Sequence, residues 1–251
     1  GRVEAAGFDL GRNPFEIKKR TGYMPQQFSL YGDLTVAENM KFFADLYGVS
    51  AERFAARKKD LLGFSALGPF EGRLARNLSG GMQKKLALAC NLFHTPELLL
   101  LDEPTTGVDP VSRVELWRLL AELNAGGTTV IVTTPYMDEA ARCHRVGFIH
   151  QGRILAYDTP EGLTRRMGDE IVEVTAPLGP ALKALRGVRA LKSVRPFGDK
   201  IHATHGAGPA GPALIRERLE AEGVAAAGLK TIPPTFEDVF IALAERGEKG
   251  P

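Results

Sequence analysis

The sequence has few cysteines, no long apolar run and almost no net charge. Its two cysteines, Cys90 and Cys143, lack the spacing of metal ligands, and we expect both to be reduced thiols. No apolar run approaches the roughly 18 residues needed to cross a bilayer, so we expect any role at a membrane to come through a partner. The formal net charge of +2 argues against a dedicated nucleic-acid-binding protein.

Four consecutive leucines followed by two carboxylates are the most informative feature that is present. Leu98 to Leu101 predict a fully buried parallel strand, which delivers Asp102 and Glu103 to its carboxyl end. In open α/β sheets, ligands bind at that edge. One carboxylate that holds Mg²⁺ and a second that polarises a water are what nucleotide hydrolysis requires.

A second motif, Ser79-Gly80-Gly81, stands just before a helical pattern that runs from Met82 to Phe93. Bare backbone N–H groups at a helix N-terminus, together with the helix dipole, can bind a phosphate. Either motif alone could be a hydrophobic strand or a capping turn without chemistry. Both together, in this order, indicate a site for nucleotide hydrolysis.

These motifs resemble those of the ATP-binding cassette (ABC) ATPases. Residues 79–83 resemble the family signature, and residues 98–103 resemble its Walker B strand with the catalytic glutamate attached. Residues 107–110 are similar to the D-loop, and residues 22–26 to the Q-loop. Two further segments resemble the ATPase components of bacterial ABC-2-type exporters of drugs or antibiotics, namely residues 30–39 and 138–143.

The resemblance implies ATP and Mg²⁺ as cofactors and a role for each matched residue. Asp102 would hold Mg²⁺ through water, and Glu103 would orient or deprotonate the attacking water. Gln26 would assist catalysis, reach Mg²⁺ and sense the γ-phosphate. The resemblance also implies nucleotide contacts at Ser79, Gly80, Gly81 and Asp109. Of these, the signature residues Ser79, Gly80 and Gly81 would contact the nucleotide bound by an opposite cassette.

The predicted fold class is α/β, with a mostly parallel sheet like that of P-loop NTPases. Residues 1–167 would form the ABC domain, with a helical subdomain inserted at about residues 35–95, and residues 168–251 a small C-terminal α/β domain. Thr35 and Glu38 form a sequence pattern typical of a capping box, which predicts a helix start. For the C-terminal domain we expect a role in stability or dimer contact.

Two departures from the family pattern bear on activity. The sequence contains no Gly-x-x-x-x-Gly-Lys-Ser/Thr, and its Gly-rich stretch 206–211 has no lysine and includes a proline. We therefore expect a cassette cut short before its P-loop and inactive alone. Pro135 stands where the family usually has a switch histidine, and it has no side-chain donor. This leaves open a degenerate, regulatory, non-hydrolysing cassette of an asymmetric pair.

The resemblance also implies partners and a location. The intact protein would work with an ABC-2-type transmembrane permease and a second ABC cassette, in a homodimer, a heterodimer or a fused tandem. It would lie on the cytoplasmic face of the inner (plasma) membrane, and the aromatic helix around residues 39–47 would contact the permease. A chromosome-maintenance ABC protein would need a coiled coil between Gln26 and Ser79, and that interval is too short. The sequence does not indicate which molecule is exported.

Overall fold

A computed structural model describes residues 1–27, 30–166, 168–206 and 210–248. Packing divides the chain into two compact units, Gly1–Pro135 and Tyr136–Pro251. Residue 167, the last of the predicted ABC domain, lies outside the described residues. Within the described ranges, no helix has both the length and the apolar character that a membrane crossing requires.

The first unit is built on a parallel sheet in the order β3-β4-β5. Its strands are β1 (Glu4–Ala5), β2 (Phe8–Asp9), β3 (Thr21–Met24), β4 (Leu98–Asp102) and β5 (Thr129–Thr133), of which β1 and β2 form a separate small hairpin. Its helices are α1 (Pro14–Lys19), α2 (Val36–Leu46), α3 (Ala51–Phe64), α4 (Gly80–Cys90) and α5 (Pro110–Ala125). The predicted helical subdomain thus contains α2, α3 and α4.

The predicted capping box starts helix α2. The Thr35 hydroxyl accepts from the Glu38 backbone N–H, and the Glu38 carboxylate accepts from the Thr35 N–H, at 3.2 and 2.8 Å. This reciprocal pairing satisfies N–H groups that have no partner within the helix. The prediction at this position is confirmed.

One face of the parallel sheet carries the core of the first unit. Leu99 and Leu101 of β4 are buried, together with Met24 of β3 and side chains from α2, α4 and α5. Leu98 and Leu100 point to the other face and are only partly buried. The prediction of a fully buried strand is therefore wrong, because the described residues cover the second face incompletely.

That second face presents a short apolar row. Tyr23, Leu100 and Ile131 are neighbours across β3, β4 and β5. Tyr23 and Ile131 are each 53 % exposed. An apolar row on a parallel sheet is normally covered by a helix, since such sheets are buried on both faces in α/β proteins.

The second unit contains an antiparallel sheet in the order β11-β8-β10-β9 and a separate hairpin, β6-β7. Its strands are β6 (Val146–His150), β7 (Arg153–Asp158), β8 (Asp169–Thr175), β9 (Leu191–Phe197), β10 (Lys200–Gly206) and β11 (Gly228–Ile232). Its helices are α6 (Met137–Ala140), α7 (Pro160–Arg166), α8 (Leu178–Leu185), α9 (Ala210–Ala221) and α10 (Phe236–Glu248). Mixed helices and strands agree with the α/β character predicted for the C-terminal part.

The boundary between the units differs from the predicted domain boundary at residue 168. Phe148 of the hairpin and Leu163 of α7 share a hydrophobic cluster with Val239 of α10. Phe148 also makes edge-on ring contacts with Phe236 and Phe240. By packing, the hairpin therefore belongs with the C-terminal residues, which no local pattern around residue 168 reveals.

Candidate active site

The carboxyl ends of β3, β4 and β5 bring together residues that are distant in sequence. Met24 is the register partner of Leu101, and Asp102 that of Thr133. Gln26 follows β3 by two residues, Asp102 ends β4 and Glu103 comes directly after it. The parallel register thus places Gln26, Asp102 and Glu103 at one edge of the sheet, where such folds bind ligands.

Glu103 is held by contacts on both its backbone and its side chain. Its carboxylate Oε2 accepts from Gln26 Nε2 at 2.7 Å and from Thr106 Oγ1 at 3.0 Å. Its N–H donates to the Thr133 carbonyl at 3.0 Å. Its φ of +45° lies in the left-handed region, which costs a residue other than glycine roughly 1–2 kcal/mol. Such backbone strain is concentrated at functional sites, where surrounding contacts maintain it.

A single hydroxyl contacts both acidic residues. Thr133 Oγ1 donates to the Asp102 carboxylate and accepts from the Glu103 N–H, the latter at 3.1 Å. Our sequence reasoning did not single out Thr133 as a site residue. Its position at the end of the strand that follows the Asp102 strand is the signal that could have found it.

The donor set at this edge fits Mg²⁺ in kind. Mg²⁺ prefers oxygen ligands and usually takes one or two carboxylates, with water and phosphate oxygens completing its octahedron. Asp102 supplies a carboxylate. Because Gln26 uses its Nε2 to contact Glu103, its Oε1 remains available to a cation; this amide orientation is assigned from the hydrogen bond. Asp102 and Gln26 could therefore hold the metal, as predicted for these two residues.

Lys84 is a member of this cluster that sequence reasoning missed. Its Nζ donates to the Gln26 backbone carbonyl at 3.0 Å, and the residue is only 8 % exposed. Burial lowers the pKa of the Lys84 ammonium, while the nearby Glu103 and Asp102 carboxylates oppose that shift. Lys84 lies five residues beyond Ser79 on helix α4. The helical pattern of the sequence alone does not show that this lysine is buried and not exposed to solvent.

The signature residues form the start of helix α4. Ser79 is its N-cap, and its Oγ accepts from the Met82 N–H at 3.3 Å. A Cβ added to Gly81 would lie well inside van der Waals contact with Ser112 of α5, whereas one added to Gly80 would meet the Gly107 carbonyl at 3.4 Å. Gly81 is therefore required by close packing as well as by any phosphate contact.

Asp109 is the N-cap of the neighbouring helix α5. Its Oδ1 accepts from the Ser112 N–H at 2.9 Å, and this hydrogen bond lowers the pKa of the Asp109 carboxyl. The predicted site residues thus fall into two groups. Gln26, Asp102 and Glu103 share the sheet edge, whereas Ser79, Gly80, Gly81 and Asp109 lie at the abutting starts of α4 and α5. The nucleotide roles of both groups stay predictions.

Pro135 follows β5 by two residues, at the end of the first unit. It is exposed and belongs to the same strand end as Thr133. Its ring offers no hydrogen-bond donor, so a contact from this position to a phosphate would need another residue.

Comparisons with known proteins identify the family of this chain. The family described as "ABC transporter" matches residues 1–106. The chain is 41 % identical over 253 residues to the "Probable multidrug ABC transporter ATP-binding protein YbhF" of Escherichia coli (strain K12), covering 97 % of this chain and 42 % of that protein. It is 34 % identical over 249 residues to the "Daunorubicin resistance ATP-binding protein DrrA2" of Streptomyces coeruleorubidus, covering 97 % of this chain and 77 % of that protein.

A solved structure has the same fold. The "Structure of ATP binding subunit of ABC transporter" superposes with a TM-score of 0.59 at 28 % identity and covers 67 % of this chain and 70 % of that one. The chain spans less than half the length of the Escherichia coli relative. With the sheet edge, the signature helix and these relatives in agreement, the chain belongs to the ATP-binding proteins of ABC transporters.

Proposed function

We propose that this chain supplies the hydrolytic residues of an ATPase that powers export of drugs or other substrates through an ABC-2-type membrane transporter. The hydrogen bond from Gln26 to Glu103 carries the proposal. It joins the predicted catalytic carboxylate to the loop that in this family connects nucleotide and membrane partner. The relatives named for multidrug export and daunorubicin resistance support the class of substrate.

In this proposal each carboxylate has one task. Glu103, held by Gln26 and Thr106, orients the attacking water and accepts its proton. Asp102, held by Thr133, would carry Mg²⁺ with Gln26. When bound, the metal would neutralise the charge that develops on the transferred phosphoryl group.

Phosphate binding needs more than the carboxylates of the sheet edge. The sequence has no Gly-x-x-x-x-Gly-Lys-Ser/Thr, the motif whose backbone N–H groups and lysine cradle the β- and γ-phosphates. We therefore expect no ATP turnover from the chain by itself.

The partners follow from the same proposal. In a dimer with a second cassette, Ser79, Gly80 and Gly81 would contact the nucleotide that is bound to that second cassette. A transmembrane permease would contact an exposed apolar patch formed by Tyr31, Phe42 and Leu46. The rings of Tyr31 and Phe42 meet edge-on, with their centroids 4.6 Å apart. The whole assembly would place this chain on the cytoplasmic face of the membrane.

A non-hydrolysing regulatory cassette is the less favoured candidate. Pro135 is the observation in its favour, since it cannot donate a hydrogen bond to the γ-phosphate. Against it, Glu103 is present, and its carboxylate accepts hydrogen bonds from Gln26 and Thr106. A cassette that has given up hydrolysis has no need of that arrangement.

Replacing Glu103 in the whole transporter tests the proposal. Glu103→Gln removes the base, and we expect ATP turnover to fall roughly 10²–10⁴-fold while ATP binding persists. The matched control is Glu97→Gln, at the opposite end of β4, where the carboxylate pairs with Arg20 at the surface. Turnover by Glu103→Gln within twofold of the parent would contradict the proposal, whereas turnover lost equally in both variants would show a loss of folding.

A further inference from the structure

Lys84 is a buried cation whose hydrogen bond goes to a backbone carbonyl. It is 8 % exposed, and Nζ donates to the Gln26 carbonyl at 3.0 Å. Lysine is rarely buried to this extent, because removing its charge from water is costly. The next residue on α4, Lys85, forms an ordinary ion pair with Glu115 at 2.6 Å. The unusual environment of Lys84 therefore calls for a reason beyond helix packing.

We propose that Lys84 is a positioning residue, which fixes the Gln26 backbone so that the Gln26 side chain reaches Glu103. The proposal rests on the proposed function, since it gives Lys84 a role in the same ATPase site. The contacts form one path: Lys84 Nζ to Gln26 O at 3.0 Å, then Gln26 Nε2 to Glu103 Oε2 at 2.7 Å. Lys84 itself touches no reacting atom in this scheme.

The path begins on the helix that carries the signature residues. Ser79 caps α4, and Lys84 follows five residues later, about 7.5 Å further along the helix axis. Beyond Lys84 the helix is anchored by buried Leu86 and Leu88, and we therefore expect its start and Lys84 to move together. A nucleotide that binds against Ser79 from an opposite cassette would thereby act on Gln26 and Glu103 of this chain.

Without the Lys84 donor, the Gln26 peptide would lose its restraint. The carbonyl would lack its charged partner, and rotation of that peptide would carry the Gln26 side chain away from Glu103. A catalytic group displaced by about 1 Å can lose up to roughly 10²-fold in rate. The expected defect is therefore in the chemical step, with nucleotide affinity preserved.

Gln83 offers a matched control on the same helix. Its Nε2 also donates to a backbone carbonyl, that of Ala75, at 2.9 Å. Lys84→Met and Gln83→Met each replace a side-chain donor by an unbranched apolar side chain of similar length. Only the first removes a contact to Gln26. If Lys84→Met does not fold, Lys84→Gln is used in its place. The glutamine amide nitrogen is one bond closer to the backbone than the lysine Nζ, so we expect it not to reach the Gln26 carbonyl.

The first measurement uses the 251-residue chain and does not depend on ATP turnover. The side-chain amide NMR signal of Gln26 is assigned by its disappearance in Gln26→Ala. We expect Lys84→Met to move this signal to the position of a glutamine amide without a hydrogen bond to the protein, and Gln83→Met to leave it unchanged. A Gln26 signal that stays in place in Lys84→Met would overturn the positioning role.

The second measurement uses the whole transporter. We expect Lys84→Met to lower kcat for ATP roughly 10- to 100-fold with KM within about twofold, and Gln83→Met to change neither. An unchanged kcat, or a rise in KM alone, would overturn the catalytic consequence. Absence of turnover in the parent transporter would defeat the proposed function, while the NMR comparison would still decide what Lys84 does to Gln26.

Discussion

At the scale of single residues, the half-buried side chain of His94 bears on how stability depends on pH. Its Nε2 contacts the Thr21 carbonyl at 3.2 Å, and its ring stacks on Tyr47 at 3.8 Å. Its Nδ1 is buried without a hydrogen-bond partner among the described residues. Burial lowers the pKa of His94, which the nearby Arg53 and Arg57 lower further, and the contact with Thr21 opposes the shift.

We predict that this histidine destabilises the fold on the acid side. Because the folded pKa lies below the unfolded value of about 6.5, the unfolded chain binds the proton more readily. Stability is therefore full above that value and falls as the pH drops through the window below it. His94→Gln should weaken this fall, whereas His144→Gln, at an exposed position, should leave it unchanged. Urea unfolding between pH 7.5 and 5 measures the difference, and parallel curves for the parent and His94→Gln would contradict it.

Single residues also show where sequence reasoning ends. Asp102 and Glu103 could be predicted, because four leucines before two carboxylates describe a local pattern. Thr133 and Lys84 could not, since their contacts depend on strand register and on the packing of α4 against the Q-loop. Gln26 and Glu103 are 77 residues apart, and only the resemblance to a family suggested that they belong to one site.

At the scale of elements, a local cap signal was enough to predict the start of a helix. The capping box at the start of α2 is confirmed. Helix α1 was not among the predicted elements; it begins at Pro14, and proline is favoured at the first position of a helix. The half-exposed side of β4 was also missed, since four leucines do not reveal which faces the rest of the chain covers.

The contact between α4 and α5 yields a prediction about Gly81. Gly81→Ala would push a Cβ into Ser112, and we expect it to lower the free energy of unfolding by about 1–3 kcal/mol. Gly80→Ala is the matched control, because its Cβ would find ordinary contact and alanine favours the helix. Denaturant titration measures both.

A double-mutant cycle shows whether the Gly81 effect comes from this contact. In a Ser112→Gly background the obstructing side chain is absent, so Gly81→Ala should cost clearly less than it does alone. An equal cost in both backgrounds would show that the strain arises elsewhere.

At the scale of the whole molecule, one group of exposed apolar side chains lies on and just before helix α2. The exposed fraction is 50 % for Tyr31, 38 % for Phe42 and 67 % for Leu46. Buried Asn39 fixes the Tyr31 backbone, accepting its N–H at 2.9 Å and donating to its carbonyl at 3.0 Å. A patch of exposed aromatic residues on a rigid support is typical of a protein interface.

We predict that this patch contacts the membrane subunit. Cysteines placed at Tyr31 and at Lys41 should cross-link to that subunit in the assembled transporter, whereas a cysteine at Arg118, exposed on α5, should not. Cys143 is replaced beforehand. Cys90 can remain, because it is buried and burial raises the pKa of its thiol. Links from position 118 alone, detected by mass spectrometry, would place the interface on another surface.

Because the Thr133 hydroxyl contacts two acidic residues, a sequence variant at this one position would affect both of them. The hydroxyl donates to Asp102 and accepts from Glu103, so the change to valine, nearly identical in shape, removes both contacts. If Asp102 binds the cation and Glu103 activates the water, as proposed, both functions would then be weakened by a change at one position. Neither acidic residue would be altered, and a survey confined to carboxylates would overlook the cause.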